Sequence, residues 1–255
     1  NGLGEIHMGV LTSSGAFSHS IIDYVSTSQG ITGCSVVVDE TYRPLAIYAD
    51  GANLSMARLA LAGQSYLTDT WLTRTIIEDL HPESMTVRVT DEGTEFAVVR
   101  TTTGELWQVN YSGVRWYHSL LDSGPVGDEF ELKMDANGVA NIAYTRSGEA
   151  VRLQVDGDQI SEQILAREST THSAIGLDLD LNGLAQIATT SLDAGQTKLS
   201  IFKSLEDKST GRLSNTAMSS YGLFPDVAEG SVVYGDLNSD GFDDVVFTQP
   251  GASDN

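Results

Sequence analysis

The sequence predicts an all-β protein, because strand–turn–strand patterns recur along it and no long apolar stripe follows a helical period. The clearest pair of hairpins spans residues 134–143 (MDANGVANIA) and 179–188 (LDLNGLAQIA). Their turn glycines, Gly138 and Gly183, lie 45 residues apart, and Gly93 precedes Gly138 by the same 45 residues. Similar segments at a fixed spacing are the sequence signature of a repeat architecture.

Two kinds of hairpin alternate along the chain. The first kind has an acidic or Asn-rich turn and recurs at 36–47, 89–98, 134–143, 179–188 and around Gly241. The second kind alternates apolar residues around a glycine-bearing turn, at 4–23, 104–122 and 148–165. Residues 52–73 fit either period, and we assign them to strand. Each unit therefore holds two hairpins, or four strands, which is the content of one propeller blade.

The phase of the repeat predicts how the fold closes. The chain begins with a second hairpin (4–23) and ends with a first hairpin (231–248). Pairing them would complete a fifth blade and remove the open edge of a broken ring. We therefore predict one domain over residues 1–255, a β-propeller of five four-stranded blades closed by its N- and C-terminal strands. A two-sheet sandwich is the alternative, because short strands with frequent turns suit it as well.

The last turn carries the pattern of a calcium loop. Residues 236–244 (DLNSDGFDD) place a side-chain oxygen at nearly every second position around a sharp turn at Gly241. Position 247 is Phe where an EF-hand has Glu, and a short apolar strand follows. This pattern resembles the calcium loops of FG-GAP/VCBS repeats, the propeller blades of integrin α-subunits and of many secreted microbial proteins. The resemblance implies one Ca²⁺ bound by Asp236, Asn238, Asp240, Asp244 and the carbonyl of Phe242; the alternative is a metal-free turn.

Two other turns share this register with fewer acidic groups. A second calcium site is a candidate in the 178–186 loop, where Gln186 replaces the closing Asp; its ligands would be Asp178, Asp180, Asn182, Gln186 and the carbonyl of Leu184. The alternative is an unmetallated hairpin held by its own turn. The 133–141 loop has Lys133 in the first ligand position, which disfavours calcium. Its ammonium is expected either beside Asp135, in place of a cation, or in solvent.

Composition excludes some partners. The chain has 14 basic and 35 acidic residues and a net charge of −21, so neither nucleic acid nor an anionic membrane surface is an expected partner. No stretch approaches the roughly 18 apolar residues of a membrane span, so direct insertion into a membrane is not expected either. Cys34, the only cysteine, lies beside a run of valines and is expected to be a buried, inert thiol. The absence of an initial Met leads us to expect a processed or excised segment.

The sequence contains no Gly-x-Ser-x-Gly elbow, phosphate-binding glycine loop or His-Glu-x-x-His motif. The histidines show no metal-binding spacing, and Trp71, Trp107 and Trp116 are expected to pack between blades. The FG-GAP/VCBS resemblance implies a calcium-stabilised, non-enzymatic module that is secreted or displayed on a microbial cell surface. Such a module would bind a protein or glycan, within a larger assembly where one exists.

Two other functions are kept open. The first is a polysaccharide-active glycoside hydrolase or lyase on a five-bladed propeller. A hydrolase needs two carboxylates roughly 5–9.5 Å apart in a pocket near the axis. The second is a structural subunit of a surface filament or layer, recognisable by large apolar interfaces between copies.

Overall fold

The computed structural model describes residues 3–11, 15–26, 33–39, 43–59, 71–90, 93–166, 171–180, 183–193, 196–207, 212–224, 232–235, 237 and 244–247. These residues form twenty strands: β1 (Leu3–Leu11), β2 (Phe17–Ser26), β3 (Cys34–Val38), β4 (Pro44–Asp50), β5 (Asn53–Leu59), β6 (Trp71–Ile77), β7 (Pro82–Val89), β8 (Glu95–Thr101), β9 (Leu106–Tyr111), β10 (Trp116–Asp122), β11 (Val126–Met134), β12 (Ala140–Arg146), β13 (Glu149–Asp156), β14 (Gln159–Ala166), β15 (Thr171–Leu179), β16 (Ala185–Asp193), β17 (Gln196–Asp207), β18 (Arg212–Phe224), β19 (Val232–Gly235) and β20 (Asp244–Phe247).

Sixteen of these strands form four antiparallel four-stranded sheets, β3–β6, β7–β10, β11–β14 and β15–β18. In each sheet the strands follow one another in chain order, so every sheet is a meander of two successive hairpins. The predicted all-β class and the predicted four-stranded unit are therefore confirmed. The chain divides into two compact units, residues 1–123 and 124–255.

The first unit contains the hairpin β1–β2 and the sheets β3–β6 and β7–β10. Its central strands β4 and β8 are buried almost throughout, which accounts for their short, continuous apolar runs. Leu45, Ile47, Leu54, Val87 and Val99 belong to the core cluster that joins the two sheets. The outermost strands β6 and β10 have the same burial pattern, exposed in the middle and buried at the last residue.

The second unit contains the sheets β11–β14 and β15–β18 and the hairpin β19–β20. Ile175, Leu177, Ile187 and Phe202 form one core cluster with Ala143 of the preceding sheet. Strand β15 also approaches β19 so closely that a Cβ added at Gly176 would lie 2.9 Å from the carbonyl oxygen of Val232. A glycine is needed at this position because the space of a side chain is filled by backbone.

The turns of the first hairpins have a common geometry. Gly93, Gly138 and Gly183 have φ values of 78°, 79° and 74°, in the left-handed region that glycine adopts most readily. In each turn the glycine amide donates to the carbonyl three residues earlier, over 2.8 to 3.0 Å. The 45-residue spacing seen in the sequence therefore marks equivalent turns in three successive sheets.

Other expectations have mixed outcomes. Strands β1 and β2 form a two-stranded sheet, as do β19 and β20, so the closure of a fifth blade by these hairpins, and the number of blades, stay predictions. Residues 53–59 and 71–77 are strands as expected, whereas 60–70 lie outside the described residues.

The expectation for Cys34 was wrong: it begins the edge strand β3 and is exposed. The described part of the chain contains no helix with the length and apolarity that a bilayer crossing requires.

Candidate functional site

A cavity of about 230 Å³ lies in the first unit, between the sheets β3–β6 and β7–β10. Two strands of the first sheet (β5 and β6) and three strands of the second (β8, β9 and β10) contribute its lining. The lining residues are Met56, Arg58, Leu72, Thr73, Arg74, Glu95, Tyr111 and Trp116. Guanidinium groups, a carboxylate and two aromatic rings thus meet at one concave site.

Strand register explains how these side chains come together. Met56 and Arg58 are two residues apart on β5 and therefore share a face of the sheet. Across the β5–β6 pair, Met56 is opposite Arg74 and Arg58 is opposite Leu72. Cross-strand neighbours of this kind are close enough for direct contact.

The aromatic side of the cavity comes from the β9–β10 hairpin. Tyr111 is the last residue of β9 and Trp116 the first of β10, and the two are paired in register. Their ring centroids lie 5.3 Å apart at an angle of 41°. The indole also packs against the apolar core of this unit, as was expected for the tryptophans. Trp116 therefore contributes both to the core and to the lining of the cavity.

An ion pair between Arg58 and Glu95 joins the two sheets at the cavity. Nη2 of Arg58 donates to Oε1 of Glu95, and the side chain of Glu95 is only 4% exposed. Three other buried polar atoms here have no hydrogen-bond partner among the described residues: Nε of Arg58, Oε2 of Glu95 and Nε1 of Trp116. An unsatisfied buried polar group costs about 1–3 kcal/mol. All three atoms belong to side chains that line the cavity.

Arg74 lies at the exposed side of the cavity. Its Nε donates to Sδ of Met56 over 3.4 Å, and its Cζ is 5.9 Å from the centroid of the Tyr111 ring. Sulfur is a weak acceptor, and a cation over a phenol ring is attracted by the ring face. No carboxylate in the described part of the chain forms an ion pair with Arg74.

Two shifted pKa values belong to groups outside the cavity. Burial, and then the hydrogen bond to Asp23, raise the pKa of Tyr48. In the second unit, burial lowers the pKa of Arg152 to about 10, and its Nη2 donates to Oδ1 of Asn141 over 2.6 Å. Both groups contribute to packing rather than to an accessible site, because both side chains are fully buried.

Most of the first predicted calcium loop lies outside the described residues, namely Asp236, Asn238, Asp240 and Phe242. Asp244 is described at the start of β20, where its Oδ2 accepts the amide of Leu237 over 3.1 Å. The described residues contain no cluster of three His, Cys, Asp or Glu side chains that could hold a metal. Calcium at this loop stays a prediction.

In the second predicted loop, hydrogen bonds engage several of the assigned oxygens. Oδ1 of Asp178 accepts the amide of Leu179 over 2.8 Å, and Oδ1 of Asp180 accepts the amide of Leu184 over 3.0 Å. The carbonyl of Leu184 accepts the amide of Asp180 over 3.0 Å. Gln186 is opposite Asp178 in the β15–β16 register, and Asn182 lies outside the described residues. These are the hydrogen bonds of a closed turn, and the calcium assignment here also stays a prediction.

Lys133 reaches this second loop from the neighbouring sheet. Its Nζ is 3.2 Å from Oδ1 of Asp178, so its carboxylate partner is Asp178 rather than the expected Asp135. Oδ1 of Asp135 instead accepts the amides of Asn137 and Val139 within its own turn. An ammonium group at this position neutralises the first carboxylate that the loop would offer to a cation.

The sequence did not point to the cavity. Arg58 and Glu95 occupy strands whose other residues are largely buried, and charged residues are rarely buried without a partner. Two opposite charges in largely buried strands of adjacent sheets were therefore a usable signal for a pair across those sheets. No comparable signal marked Tyr111 or Trp116, because aromatic residues are common in packed sheets.

Comparisons with known proteins show the fold and no family. No protein-family model matches the chain, and no curated protein matches its sequence. An α-L-arabinanase of Penicillium chrysogenum, solved with arabinobiose, is similar with a TM-score of 0.50 and 10% identity, over 87% of this chain and 76% of that chain. At this identity the similarity concerns the fold alone.

Two lectins are also structurally similar. The SapL1 lectin, solved with alpha methyl fucoside, has a TM-score of 0.49 and 10% identity, over 92% of this chain and 78% of that chain. A fucose-recognising lectin of Aleuria aurantia with a six-bladed β-propeller fold has a TM-score of 0.49 and 12% identity, over 80% of this chain and 67% of that chain. The class of the chain follows from its own sheets, which make it an all-β protein with four-stranded antiparallel sheets.

Proposed function

We propose that this chain is a non-enzymatic β-propeller module that binds a saccharide in the cavity between β5–β6 and β8–β10. The observation that carries the proposal is the set of buried atoms without partners, Nε of Arg58, Oε2 of Glu95 and Nε1 of Trp116. Sugar hydroxyl groups donate and accept hydrogen bonds and would satisfy all three. A site built to hydrogen-bond hydroxyl groups discriminates strongly against ligands that lack them.

The size and the apolar surfaces of the cavity support the same ligand class. Its volume of about 230 Å³ is below the roughly 300–1,000 Å³ typical of sites for drug-sized molecules, so one sugar ring is a suitable occupant. The rings of Tyr111 and Trp116 and the side chain of Leu72 offer surface for the C–H face of a pyranose. Aromatic rings with a polar group at one end suit a ligand that is itself amphipathic.

Binding is a better fit to this cavity than hydrolysis. Glycoside hydrolases use a pair of carboxylates on either side of the scissile bond. Among the lining residues Glu95 is the single carboxylate, and its Oε1 is already engaged by Arg58. The lining residues therefore provide no second carboxylate for the other side of a scissile bond. Similarity of fold to an arabinanase does not supply the missing group.

Calcium binding at 236–244 and an extracellular location belong to the same proposal. The calcium is supported by the oxygen spacing of that loop, and the location by the resemblance of the loop to those of FG-GAP/VCBS repeats. The net charge of −21 supports an affinity for divalent cations and high solubility. A protein partner and a role in a surface layer remain open alternatives to a glycan partner. They do not explain why buried polar atoms are left without partners around a cavity.

The test uses saturation-transfer NMR with methyl glycosides of fucose, galactose, glucose and arabinose and with the uronates of galactose and glucose. Leu72 lines the cavity and is 57% exposed, so Leu72→Trp should fill the entrance without disturbing the core. Leu120 is 42% exposed in the equivalent strand β10 and lies outside the cavity, so Leu120→Trp is the matched control.

We expect saturation transfer to at least one glycoside, its loss in Leu72→Trp and its retention in Leu120→Trp. Replacing Trp116 by Phe removes one donor and should weaken that binding by about three- to tenfold, in line with one neutral hydrogen bond. Trp107→Phe is its control, because Trp107 packs on the same core but does not line the cavity. If no glycoside binds, or if Leu72→Trp binds as well as the parent, the proposal is wrong.

A further inference from the structure

We propose that the saccharide bound in this cavity carries a carboxylate, as a hexuronate residue does, and that Arg74 recognises that carboxylate. The inference rests on the proposed saccharide function and narrows it to acidic sugars. It follows from the charge of the cavity and from the terminal nitrogens of Arg74, for which the described residues provide no carboxylate partner.

The cavity is locally positive although the chain is strongly acidic. Its charged lining residues are Arg58, Arg74 and Glu95, two cations and one anion, whereas the whole chain has a net charge of −21. Arg58 and Glu95 neutralise one another through their ion pair. The charge that remains for a ligand is therefore that of Arg74. An excess cation in a concave site of an acidic protein favours an anionic ligand.

Several arginines in the described part of the chain form an ion pair with a carboxylate, and Arg74 does not. Arg43 pairs with Asp39, Arg100 with Glu83, and Arg146 with Glu162. Arg74 instead directs Nε to the sulfur of Met56, which engages one edge of the guanidinium. The terminal nitrogens lie at the other edge, where a planar group with two acceptors can bind. A carboxylate has this shape and accepts two parallel hydrogen bonds from a guanidinium.

The neighbours of Arg74 hold it in a suitable place. Register pairs Arg74 with Met56, and the ring of Tyr111 lies 5.9 Å from its Cζ. Both contacts restrict a long side chain that would otherwise lose more conformational entropy on binding a ligand. A sugar ring between Trp116 and Arg58 would then have its hydroxyl groups at the buried polar atoms and an exocyclic carboxylate towards Arg74. A neutral sugar would leave that guanidinium without an anion.

Matched glycosides test the inference. Methyl glucuronide is compared with methyl glucoside, and methyl galacturonide with methyl galactoside, by NMR titration or calorimetry; methyl α-L-fucoside is a neutral reference. We expect at least one uronate to bind about tenfold more tightly than its neutral counterpart, the gain typical of a charge-assisted hydrogen-bonded pair. In Arg74→Gln this preference should fall to about twofold or less, with little change for the neutral glycoside.

Arg115→Gln is the matched control. Arg115 also lies over a tyrosine ring, with its Cζ 4.6 Å from the centroid of Tyr117, but it does not line the cavity. The preference for the uronate should persist in this variant. The melting temperature of each variant shows that it is folded, and both substitutions are at exposed positions.

The outcomes distinguish failure of the inference from failure of the proposed function. If neutral glycosides or the fucoside bind at the cavity and the uronates gain nothing, the acidic ligand is wrong and saccharide binding stands. If the uronate preference survives in Arg74→Gln, the role of Arg74 is wrong. If no glycoside binds to the parent protein, both the inference and the proposed function fall.

Discussion

The hydroxyl of Tyr48 donates a hydrogen bond to Oδ2 of Asp23, and replacing Tyr48 by Phe should remove a measurable part of the stability of the first unit. Tyr48 is fully buried in β4, and Asp23 lies in β2, so the bond joins the N-terminal hairpin to the following sheet. A hydrogen bond to a charged acceptor contributes about 1.5–3 kcal/mol. We expect Tyr48→Phe to lower the free energy of unfolding by this amount near neutral pH.

The same bond predicts how the loss depends on pH. Burial and the Asp23 carboxylate raise the pKa of Tyr48 in the folded protein, whereas tyrosine in the unfolded chain ionises near pH 10. The stabilisation is therefore fully present below about pH 10. Above that pH it falls by about 1.4 kcal/mol per pH unit, because the unfolded state releases the proton first. The difference between parent and Tyr48→Phe should thus close between about pH 10 and pH 12.

Urea unfolding of both proteins at about pH 8, 10 and 11 measures this difference, and the remaining tyrosines cancel in the comparison. Tyr24→Phe is the control, since Tyr24 follows Asp23 in β2 and is exposed. Its effect should stay within about 0.5 kcal/mol at every pH. A difference for Tyr48→Phe that is constant from about pH 8 to pH 11 would refute the assignment of the stabilisation to a protonated hydroxyl.

Three further predictions concern the second unit. Chelating calcium should lower the melting temperature, because about 1.8 kcal/mol of stabilisation is lost at roughly 2 mM Ca²⁺ and a Kd near 10⁻⁴ M. Asp244→Asn should remove most of this response. An unchanged melting temperature on chelation counts against the ion. Lys133→Gln should make the 178–186 loop responsive to millimolar calcium, because Asp178 loses its ammonium partner. The response would be a new rise in melting temperature with calcium, measured in the Asp244→Asn background. No new response means that the lysine does not control the site. Gly176→Ala should lower the free energy of unfolding by about 1–3 kcal/mol, since its Cβ would meet the Val232 carbonyl. For comparison, Gly93→Ala should lower it by about 1–2 kcal/mol through backbone strain alone. A neutral Gly176→Ala would contradict the close packing of β15 on β19.

The repeated hairpins could be predicted from the sequence because their determinants are local. A glycine with positive φ and an Asp or Thr residue three positions before it specify the turn, and alternating apolar residues specify the strands on either side. This information recurs at Gly93, Gly138 and Gly183, so one recognised unit predicted the next. The four-stranded sheets followed from counting two such hairpins per unit.

The side-chain pairs between sheets could not be predicted in the same way. Lys133 pairs with Asp178 rather than Asp135 because the neighbouring sheet brings Asp178 within reach. The Arg58–Glu95 pair likewise depends on how two sheets pack. Cys34 was assigned to the interior because of the valines that follow it, yet it begins an edge strand where alternate residues face solvent. In each case a local pattern was insufficient because the contact is set by tertiary packing.

The Arg58–Glu95 pair has a further consequence for the measurement of binding. A ligand that hydrogen-bonds to Nε of Arg58 and Oε2 of Glu95 contacts residues of both sheets at once. Occupancy should therefore slow the separation of the two sheets and protect the amides of β5 and β8 from hydrogen exchange. Exchange rates at these two strands would report ligand binding directly, even for a weak ligand whose heat of binding is too small to detect.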